Sequence, residues 1–190
     1  TIKSKLQGNR NFVWLKRQIT PSQSSQIKAM QLQGVGMIKE HRRFYPNSSI
    51  AGHLLGFTGL DPKGLEGLEL EYDKMILGRG GYLVMERDAM GRGLSTASPQ
   101  IQGATRGHDL YLTLDKNLQY LAERELAEGL RTTEARAGTV VMMEPSTGKV
   151  LAMASSPNYN PNVFFRYKPY QWRNRAVCDA FEPGSTFKVI

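Results

Sequence analysis

The chain has 190 residues, 40% of them apolar and 22% charged, which are the proportions of an ordinary globular protein. It holds no apolar run of about 18 residues, so no membrane-spanning helix is predicted, and no signal-peptide pattern occurs at its start. The single cysteine, Cys178, excludes an internal disulfide and is expected to be a small, buried apolar residue.

The net charge of +8 lies entirely in residues 1–50, which hold nine Lys or Arg and one acid, Glu40. Residues 51–190 hold sixteen charges of each sign. No nucleic-acid-binding signature accompanies the basic residues, so nucleic acid is not an expected partner. The sequence favours a solvated basic face over attraction to an anionic envelope polymer or membrane surface.

No metal or cofactor is expected. The three histidines, His41, His53 and His108, are far apart in sequence, and none has a second His or Cys at ligand spacing.

The first half of the chain contains one well-marked helix. Thr20, Pro21 and Gln23 form a capping-box sequence that predicts a polar helix over about 21–32. The other expectations are a strand over 12–19, an extended segment over 41–46, a short helix or strand over 50–57, a helix ending near Met75, and strands over 82–87 and 109–114.

The second half has cleaner periodicity, and the composition shifts near Gly103. We therefore predict a boundary between 100 and 107, with one domain over 1–105 and a second over 106–190. Asp115 is a helix cap for an amphipathic helix whose apolar stripe is Leu118, Leu121, Ala122, Leu126 and Leu130.

Two strands should follow that helix. A buried strand is predicted over 139–143, and a turn over 145–148 returns the chain as a strand over 150–154. Two strands alone would leave an unpaired sheet edge. A helix that begins near Ser185 would have only six residues, too few to be stable alone. Residues 107–190 are therefore expected to be the front part of a larger domain.

The pattern Ser-x-x-Lys occurs three times, at 25–28, 146–149 and 185–188. The first lies in the polar helix and the second in the predicted turn, so both are interpreted as solvated structural matches. The third follows Pro183 and Gly184, which can open a helix. On a helix Ser185 and Lys188 share a face, where the Lys amine can accept the proton of an acyl-transfer serine.

These residues belong to a longer series that resembles the class B penicillin-binding proteins, the bacterial peptidoglycan transpeptidases. The resemblance spans about residues 10–190, and the sequence of the first half is most similar to the septal cell-division branch. The blocks that carry it, in chain order, are residues 43–46, 51–58, 64–69, Leu77-Gly78 with Gly81, Asp88 with Gly91, 112–115, Leu118-Gln119, 147–155, Pro157, 160–162, 173–175 and 182–188.

The resemblance implies an α+β fold in two domains. Residues 1–105 would form an elongated, non-catalytic pedestal of the dimerisation type. Residues 106–190 would open a penicillin-recognising serine transpeptidase domain, an antiparallel sheet flanked by helices.

The resemblance also implies a reaction. Ser185 would attack a stem-peptide bond, release D-alanine and pass the acyl group to a neighbouring stem, and penicillins would acylate the same serine. Lys188 would be the general base, and the backbone N–H of Ser185 would supply half of an oxyanion hole. The implied partners are peptidoglycan stem peptides, β-lactams and division or cell-wall synthesis membrane proteins, with an anchor expected ahead of Thr1 on the inner membrane and this part outside it.

The sequence departs from the family pattern at one point. A working transpeptidase needs a Ser-x-Asn triplet and a Lys-Thr/Ser-Gly strand after the nucleophile. The only Ser-x-Asn here, at 156–158, precedes Ser185 and is interpreted as chance, and no Lys-Thr/Ser-Gly triplet occurs. The chain alone is therefore expected to be inactive.

Two alternatives stay open. The chain could act as a non-catalytic interaction module, with the pedestal as its only complete unit. A β-lactam sensor or β-lactamase shares the Ser-x-x-Lys helix but leaves the blocks at 42–91 without an explanation.

Overall fold

A computed structural model describes residues 12–84 and 100–189. The chain forms two compact units, residues 1–42 and residues 43–190. The described elements mix helices with short antiparallel strands, so the predicted α+β class is confirmed. Among the described residues, no helix has both the length and the apolarity that crossing a membrane requires.

The first unit contains helix α1, Pro21–Ala29. The predicted capping box is present, because the Thr20 hydroxyl accepts a hydrogen bond from the backbone N–H of Gln23 while the Gln23 side chain accepts one from the N–H of Thr20. The helix ends three residues earlier than predicted. Gln31 has a left-handed φ of 45°, and a right-handed α-helix cannot continue through such a residue.

The strand predicted over 12–19 is wrong, because the structure assigns no strand there. Phe12 and Trp14 instead pack edge to face with ring centroids 5.1 Å apart. The guanidinium of Arg17 lies 5.3 Å from the centre of the Trp14 ring and also pairs with Glu40 at 2.7 Å. Gln18 has a φ of 52°, which breaks an extended run.

The second unit begins with three short helices, α2 (Gly52–Leu55), α3 (Gly67–Glu71) and α4 (Asp73–Ile76). Strand β1 (Tyr82–Val84) pairs antiparallel with β2 (Gln100–Gln102). Of the two alternatives for the segment over 50–57, the helix forms, over Gly52–Leu55 only. The helix predicted to end near Met75 is two short helices. The last three residues of the strand predicted over 82–87 lie outside the described residues.

The strand predicted over 109–114 is also wrong. This segment joins no ladder, although its end is held by two contacts: the Thr113 hydroxyl donates to the carbonyl of Val150 at 2.6 Å, and the N–H of Asp115 donates to Leu151 at 2.9 Å. Alternating apolar residues form a strand only where a partner strand satisfies their backbone, and the contacts with Val150 and Leu151 do not extend into a ladder.

Helix α5 (Lys116–Thr133) lies against a hairpin of β3 (Gly138–Met143) and β4 (Val150–Ser156). Asp115 caps α5 as predicted, accepting hydrogen bonds from the N–H groups of Asn117 and Leu118. Their shared core contains the buried Ala122, Ala152 and Ala154, with the partly buried Leu118, Leu126, Val140 and Met142 packed around it.

Two details of this region differ from the sequence prediction. Leu121 is 39% exposed and does not belong to the core stripe, whereas Gln119 is almost completely buried. Strand β3 alternates between half-buried and exposed positions, so it is not a buried strand. Only one face of it meets α5; Val141 and Met143 lie on the exposed face.

The remaining elements are short. They are the 3₁₀ helices Pro161–Arg166 and Pro169–Gln171, helix α6 (Arg175–Cys178) and the 3₁₀ helix Gly184–Val189. Helix α6 contacts both β3 and β4.

An aromatic core joins two parts of the second unit that are about a hundred residues apart in sequence. Phe57 stacks on Phe164 with ring centroids 4.0 Å apart, and Tyr159 and Trp172 meet Phe57 edge to face at 6.0 and 5.1 Å. The buried Tyr45 belongs to the same cluster. This core spans the predicted boundary near residue 105, so the boundary itself stays a prediction.

Replacing Phe57 with alanine should lower the free energy of unfolding of the second unit by about 3–5 kcal/mol, because the ring is 1% exposed and its loss leaves a cavity. Urea unfolding followed by far-UV circular dichroism measures the change. The matched control is Phe181→Ala, which removes a ring that is 81% exposed and should cost less than about 0.5 kcal/mol. Equal losses in the two variants would contradict this assignment of the core.

Candidate active site

The third Ser-x-x-Lys pattern lies on the 3₁₀ helix Gly184–Val189. Residues three apart eclipse each other on a 3₁₀ helix, so Ser185 and Lys188 share one face, as predicted. Both residues are exposed. Gly184 precedes them with a φ of 57°, a left-handed conformation that glycine adopts without strain.

The loop before this helix is held by a cluster of opposite charges. The Asp179 carboxylate pairs with Arg173 at 2.7 Å and with Arg175 at 2.9 Å. Arg173 also donates from Nη2 to the carbonyl of Cys178 at 2.8 Å. These contacts hold the end of α6, six residues before Ser185.

The other two Ser-x-x-Lys matches are structural. The Ser25 hydroxyl donates to the Pro21 carbonyl within α1, and Lys28 is exposed. Ser146 and Lys149 lie in the turn between β3 and β4, where both are exposed.

Cys178 is exposed, so the prediction of a buried cysteine is wrong. The short helix α6 ends at this residue and turns its last side chains outward. Cys178 lines a cavity of about 730 Å³ whose other walls include Leu54, Leu68, Pro169, Asn174 and Val177.

His53 lies at the edge of the same cavity and is almost completely buried. Its Nε2–H donates to the Gln171 carbonyl at 2.9 Å, and its ring meets Tyr159 edge to face at 5.1 Å. Burial lowers the pKa of His53 below its usual 6.5, with the nearby positive charge of Arg175 acting in the same direction. His53 is therefore a neutral residue of the core, with no second histidine near it in sequence.

A second polar group that sequence reasoning missed lies around Glu69. This buried carboxylate accepts from Nε of Arg43 at 2.6 Å and from the Tyr45 hydroxyl at 3.3 Å. Burial, with the Glu69 charge adding to it, raises the pKa of Tyr45, which stays protonated. Asn162 bonds both backbone groups of Tyr45, at 3.0 and 2.8 Å. The one sequence signal for these residues is that all four lie in blocks that carry the family resemblance.

Glu123 connects α5 to the segment before α2. Its carboxylate accepts from the backbone N–H of Ala51 at 2.7 Å, from Nε2 of Gln119 at 2.8 Å and from Nδ2 of Asn158 at 3.2 Å. The Gln119 amide also bonds the backbone of Met153 in both directions, at 2.8 and 3.0 Å. The Ser-x-Asn at 156–158 therefore has a structural role through its asparagine.

No group of three or more His, Cys, Asp or Glu among the described residues is arranged to hold a metal ion. The chemistry that the described site can offer is that of a hydroxyl and an amine on one face of a helical turn.

Two families of known proteins match this sequence. The penicillin-binding protein dimerisation domain matches residues 1–112, and the penicillin-binding protein transpeptidase domain matches residues 138–190, which include Ser185 and Lys188. The chain therefore belongs to the penicillin-binding protein family.

Curated relatives share much of the sequence. The peptidoglycan D,D-transpeptidase FtsI of Escherichia coli is 40% identical over 179 residues, which cover 94% of this chain and 30% of the relative. The "Probable peptidoglycan D,D-transpeptidase PenA" of Neisseria gonorrhoeae is 40% identical over 189 residues, covering 98% of this chain and 32% of the relative. The chain thus spans about a third of the length of these relatives.

Solved structures share the fold. A peptidoglycan synthetase from Bifidobacterium adolescentis superposes with a TM-score of 0.70 at 28% identity, covering 98% of this chain and 34% of that one. Penicillin-binding protein 3 from Mycobacterium tuberculosis in complex with aztreonam superposes with a TM-score of 0.63 at 27% identity, covering 77% of this chain and 29% of that one.

The buried His53 should make folding stability depend on pH. Its folded pKa lies below 6.5, so as the pH falls through about 6.5 the unfolded chain takes up a proton that the native ring does not. The native state therefore loses stability as the pH falls from about 7.5 to 5.5. Urea unfolding across this range should show a slope that His53→Gln reduces. A slope that His53→Gln leaves unchanged would contradict the burial of a neutral ring at this position.

The carboxylate of Glu123 should protect the amide of Ala51 from exchange. Glu123→Ala leaves this buried N–H without its acceptor, and the loss of about 1–3 kcal/mol should speed its exchange about 5–150-fold. Hydrogen exchange by NMR measures it. Glu125→Ala removes an exposed carboxylate that is paired with Arg124 and should leave this amide unaffected. If Ala51 exchanges at the wild-type rate in Glu123→Ala, the contact does not stabilise the fold.

Proposed function

We propose that the protein carrying this chain is a peptidoglycan D,D-transpeptidase in which Ser185 is the nucleophile and Lys188 the general base. The observation that carries the proposal is the transpeptidase-domain match over 138–190, whose Ser185 and Lys188 share one face of a helical turn. Relatives at 40% identity, FtsI and PenA, are named as enzymes of this kind.

The proposed reaction has two halves, each with two proton transfers. Lys188 Nζ takes the Ser185 proton as Oγ attacks the carbonyl carbon of a stem-peptide bond, and the backbone N–H of Ser185 donates to the oxyanion. The C–N bond then breaks, and the departing D-alanine amine takes the proton. The amine of a second stem then attacks the resulting ester and gives a proton to Lys188. The ester C–O bond breaks as the amide cross-link forms, and Lys188 returns the proton to Oγ of Ser185. A β-lactam would acylate the same oxygen by opening its ring.

Lys188 can act as a base only when it is partly neutral near pH 7, which requires burial or neighbouring positive charge. In the described chain Lys188 is exposed, and so is Ser185. We therefore infer that residues with the family's Ser-x-Asn and Lys-Thr/Ser-Gly patterns must enclose the pair before acylation occurs.

The remaining assignments rest on the same family. We assign residues 1–105 to the pedestal and 106–190 to the opening of the transpeptidase domain, in agreement with the order of the two matched families. The proposed setting is the outer side of the inner membrane, in the septal branch, with stem peptides and β-lactams as ligands and division proteins as partners.

A second candidate function is that of an interaction module. The dimerisation-domain match covers residues 1–112, more than half of the chain, and requires no chemistry at Ser185. The two candidates differ in whether Ser185 can be acylated.

Acylation can be tested by joining this chain to the rest of the transpeptidase domain of the gonococcal relative, to which it is 40% identical. After incubation with benzylpenicillin, intact-mass and peptide mapping should find one adduct per molecule, on Ser185. The 190-residue chain alone should gain no adduct. A folded chimera that stays unmodified, or an adduct elsewhere, would favour the interaction module.

Two substitutions in the chimera separate the roles. Ser185→Ala should abolish the adduct, whereas Lys188→Ala should slow its formation by about 10²–10⁴-fold, the usual contribution of general base catalysis. Lys168→Ala removes another exposed lysine and should leave the rate unchanged. Stopped-flow or quenched mass spectrometry gives the rates.

A further inference from the structure

One carboxylate joins the two ends of α6, the short helix that precedes Ser185. Asp179 follows the last residue of α6, and its Oδ1 pairs with Nε of Arg173, just before the helix, at 2.7 Å. Its Oδ2 pairs with Nη1 of Arg175, the first residue of the helix, at 2.9 Å. Arg173 also donates from Nη2 to the Cys178 carbonyl at 2.8 Å. Charge-assisted bonds of this length are stronger than neutral ones.

Helix α6 needs such contacts, because a helix of four residues is not stable alone. Its start is attached to strand β4 through Asn174, whose amide donates to Met153 Sδ at 3.4 Å and accepts from the Ser155 hydroxyl at 3.5 Å. Its end is held by Asp179, whose backbone N–H donates to the Arg175 carbonyl at 3.2 Å and whose carboxylate binds the two arginines. The helix is thus fixed to the hairpin at one end and closed by a carboxylate at the other.

An ordinary surface ion pair makes a much smaller contribution than this group. Arg131 and Glu128 pair at 2.6 Å within the long helix α5, with side chains 74% and 57% exposed, and they join no second segment. The Asp179 and Arg175 side chains are only 33% and 26% exposed. Because less water surrounds them, their attraction is screened less.

We propose that Asp179 is a positioning residue for the nucleophile, which acts through Arg173 and Arg175 and touches no substrate. By closing α6, it fixes the point from which the chain runs to Ser185, six residues further on. Release of that point shifts the Ser185 hydroxyl, and a displacement of about 1 Å at a reacting atom can cost about 10²-fold in rate. This inference rests on the function proposed for Ser185.

The acylation rate of the chimera described above tests the role. Asp179→Asn keeps the size of the side chain and removes its charge, and it should lower the acylation rate constant with benzylpenicillin about 10–100-fold. The dissociation constant of the initial non-covalent complex should change less than about threefold, because Asp179 does not touch the ligand. Quenched mass spectrometry over a range of penicillin concentrations gives both constants. In this step Oγ of Ser185 bonds the lactam carbonyl carbon, the lactam C–N bond breaks, and the ring nitrogen takes the serine proton.

Three further variants test whether the charges act as a unit. Arg173→Gln and Arg175→Gln should each slow acylation, and neither should slow it further in the Asp179→Asn background, because contacts made through one carboxylate are lost together. Asp179→Glu keeps the charge and should react within about threefold of the wild-type rate. The control Glu128→Gln breaks the exposed pair on α5 and should leave the rate unchanged.

Hydrogen exchange followed by mass spectrometry distinguishes positioning from a general loss of fold. In Asp179→Asn, peptides that cover residues 175–185 should exchange at least about fivefold faster, whereas peptides from α5 and β4 should exchange at the wild-type rate. The melting temperature should stay within about 4 °C of the wild type, because partly exposed ion pairs contribute little to global stability.

The outcomes separate this inference from the function on which it rests. A folded chimera without substitutions that gains no adduct on Ser185 would overturn the proposed function, and the positioning role with it. If that chimera is acylated but Asp179→Asn reacts equally fast, the positioning role is wrong and the proposed function stands. The same conclusion follows if Asp179→Asn weakens only the non-covalent complex, or if Glu128→Gln slows acylation as much.

Discussion

The second unit depends on one packing arrangement, the aromatic cluster in which Phe57 stacks on Phe164 and meets Tyr159 and Trp172 edge to face. Short helices such as α2 and α3 cannot hold themselves together, because helices of four or five residues are unstable alone. They persist because the cluster buries the residues between and around them. The segment near Phe57 and the segment over 157–172 therefore form one body.

Buried polar groups then fix the details that apolar packing leaves open. The Tyr159 hydroxyl donates to the Gly52 carbonyl at 2.8 Å, and the Glu123 and Glu69 carboxylates each accept from more than one donor. A buried polar group without a partner costs about 1–3 kcal/mol, so alternative arrangements of these loops are disfavoured. None of the buried side-chain polar atoms in the described part of the chain lacks a partner. Apolar packing brings the segments together, and these hydrogen bonds select one arrangement of them.

The candidate active site, unlike these buried groups, is exposed to solvent. Ser185 and Lys188 are exposed on a short 3₁₀ helix, whereas His53, the titratable side chain most suited to work near neutral pH, is buried and neutral within the core. Local helical geometry is sufficient to place a hydroxyl and an amine on one face. It is not sufficient to make the amine a base, because that requires groups around it that lower its pKa.

The parts of the fold that can be predicted from the sequence are those whose signals are local. The Asp115 cap and the apolar spacing of α5, the capping box of α1 and the turn between β3 and β4 were all readable because neighbours in sequence make those contacts. The family, too, followed from blocks of residues in a fixed order.

The long-range contacts, in contrast, are visible only in the folded chain. Gln119 is buried because its amide bonds the backbone of Met153, thirty-four residues away, and Glu123 binds the N–H of Ala51 across seventy-two residues. The strands expected over 12–19 and 109–114 did not form, because a strand needs a partner that no local pattern supplies. The exposure of Leu121 and Cys178 has the same cause, because the burial of a side chain depends on contacts between segments that are distant in sequence. Periodicity indicates which residues share one face of a helix, but it does not indicate what packs against that face.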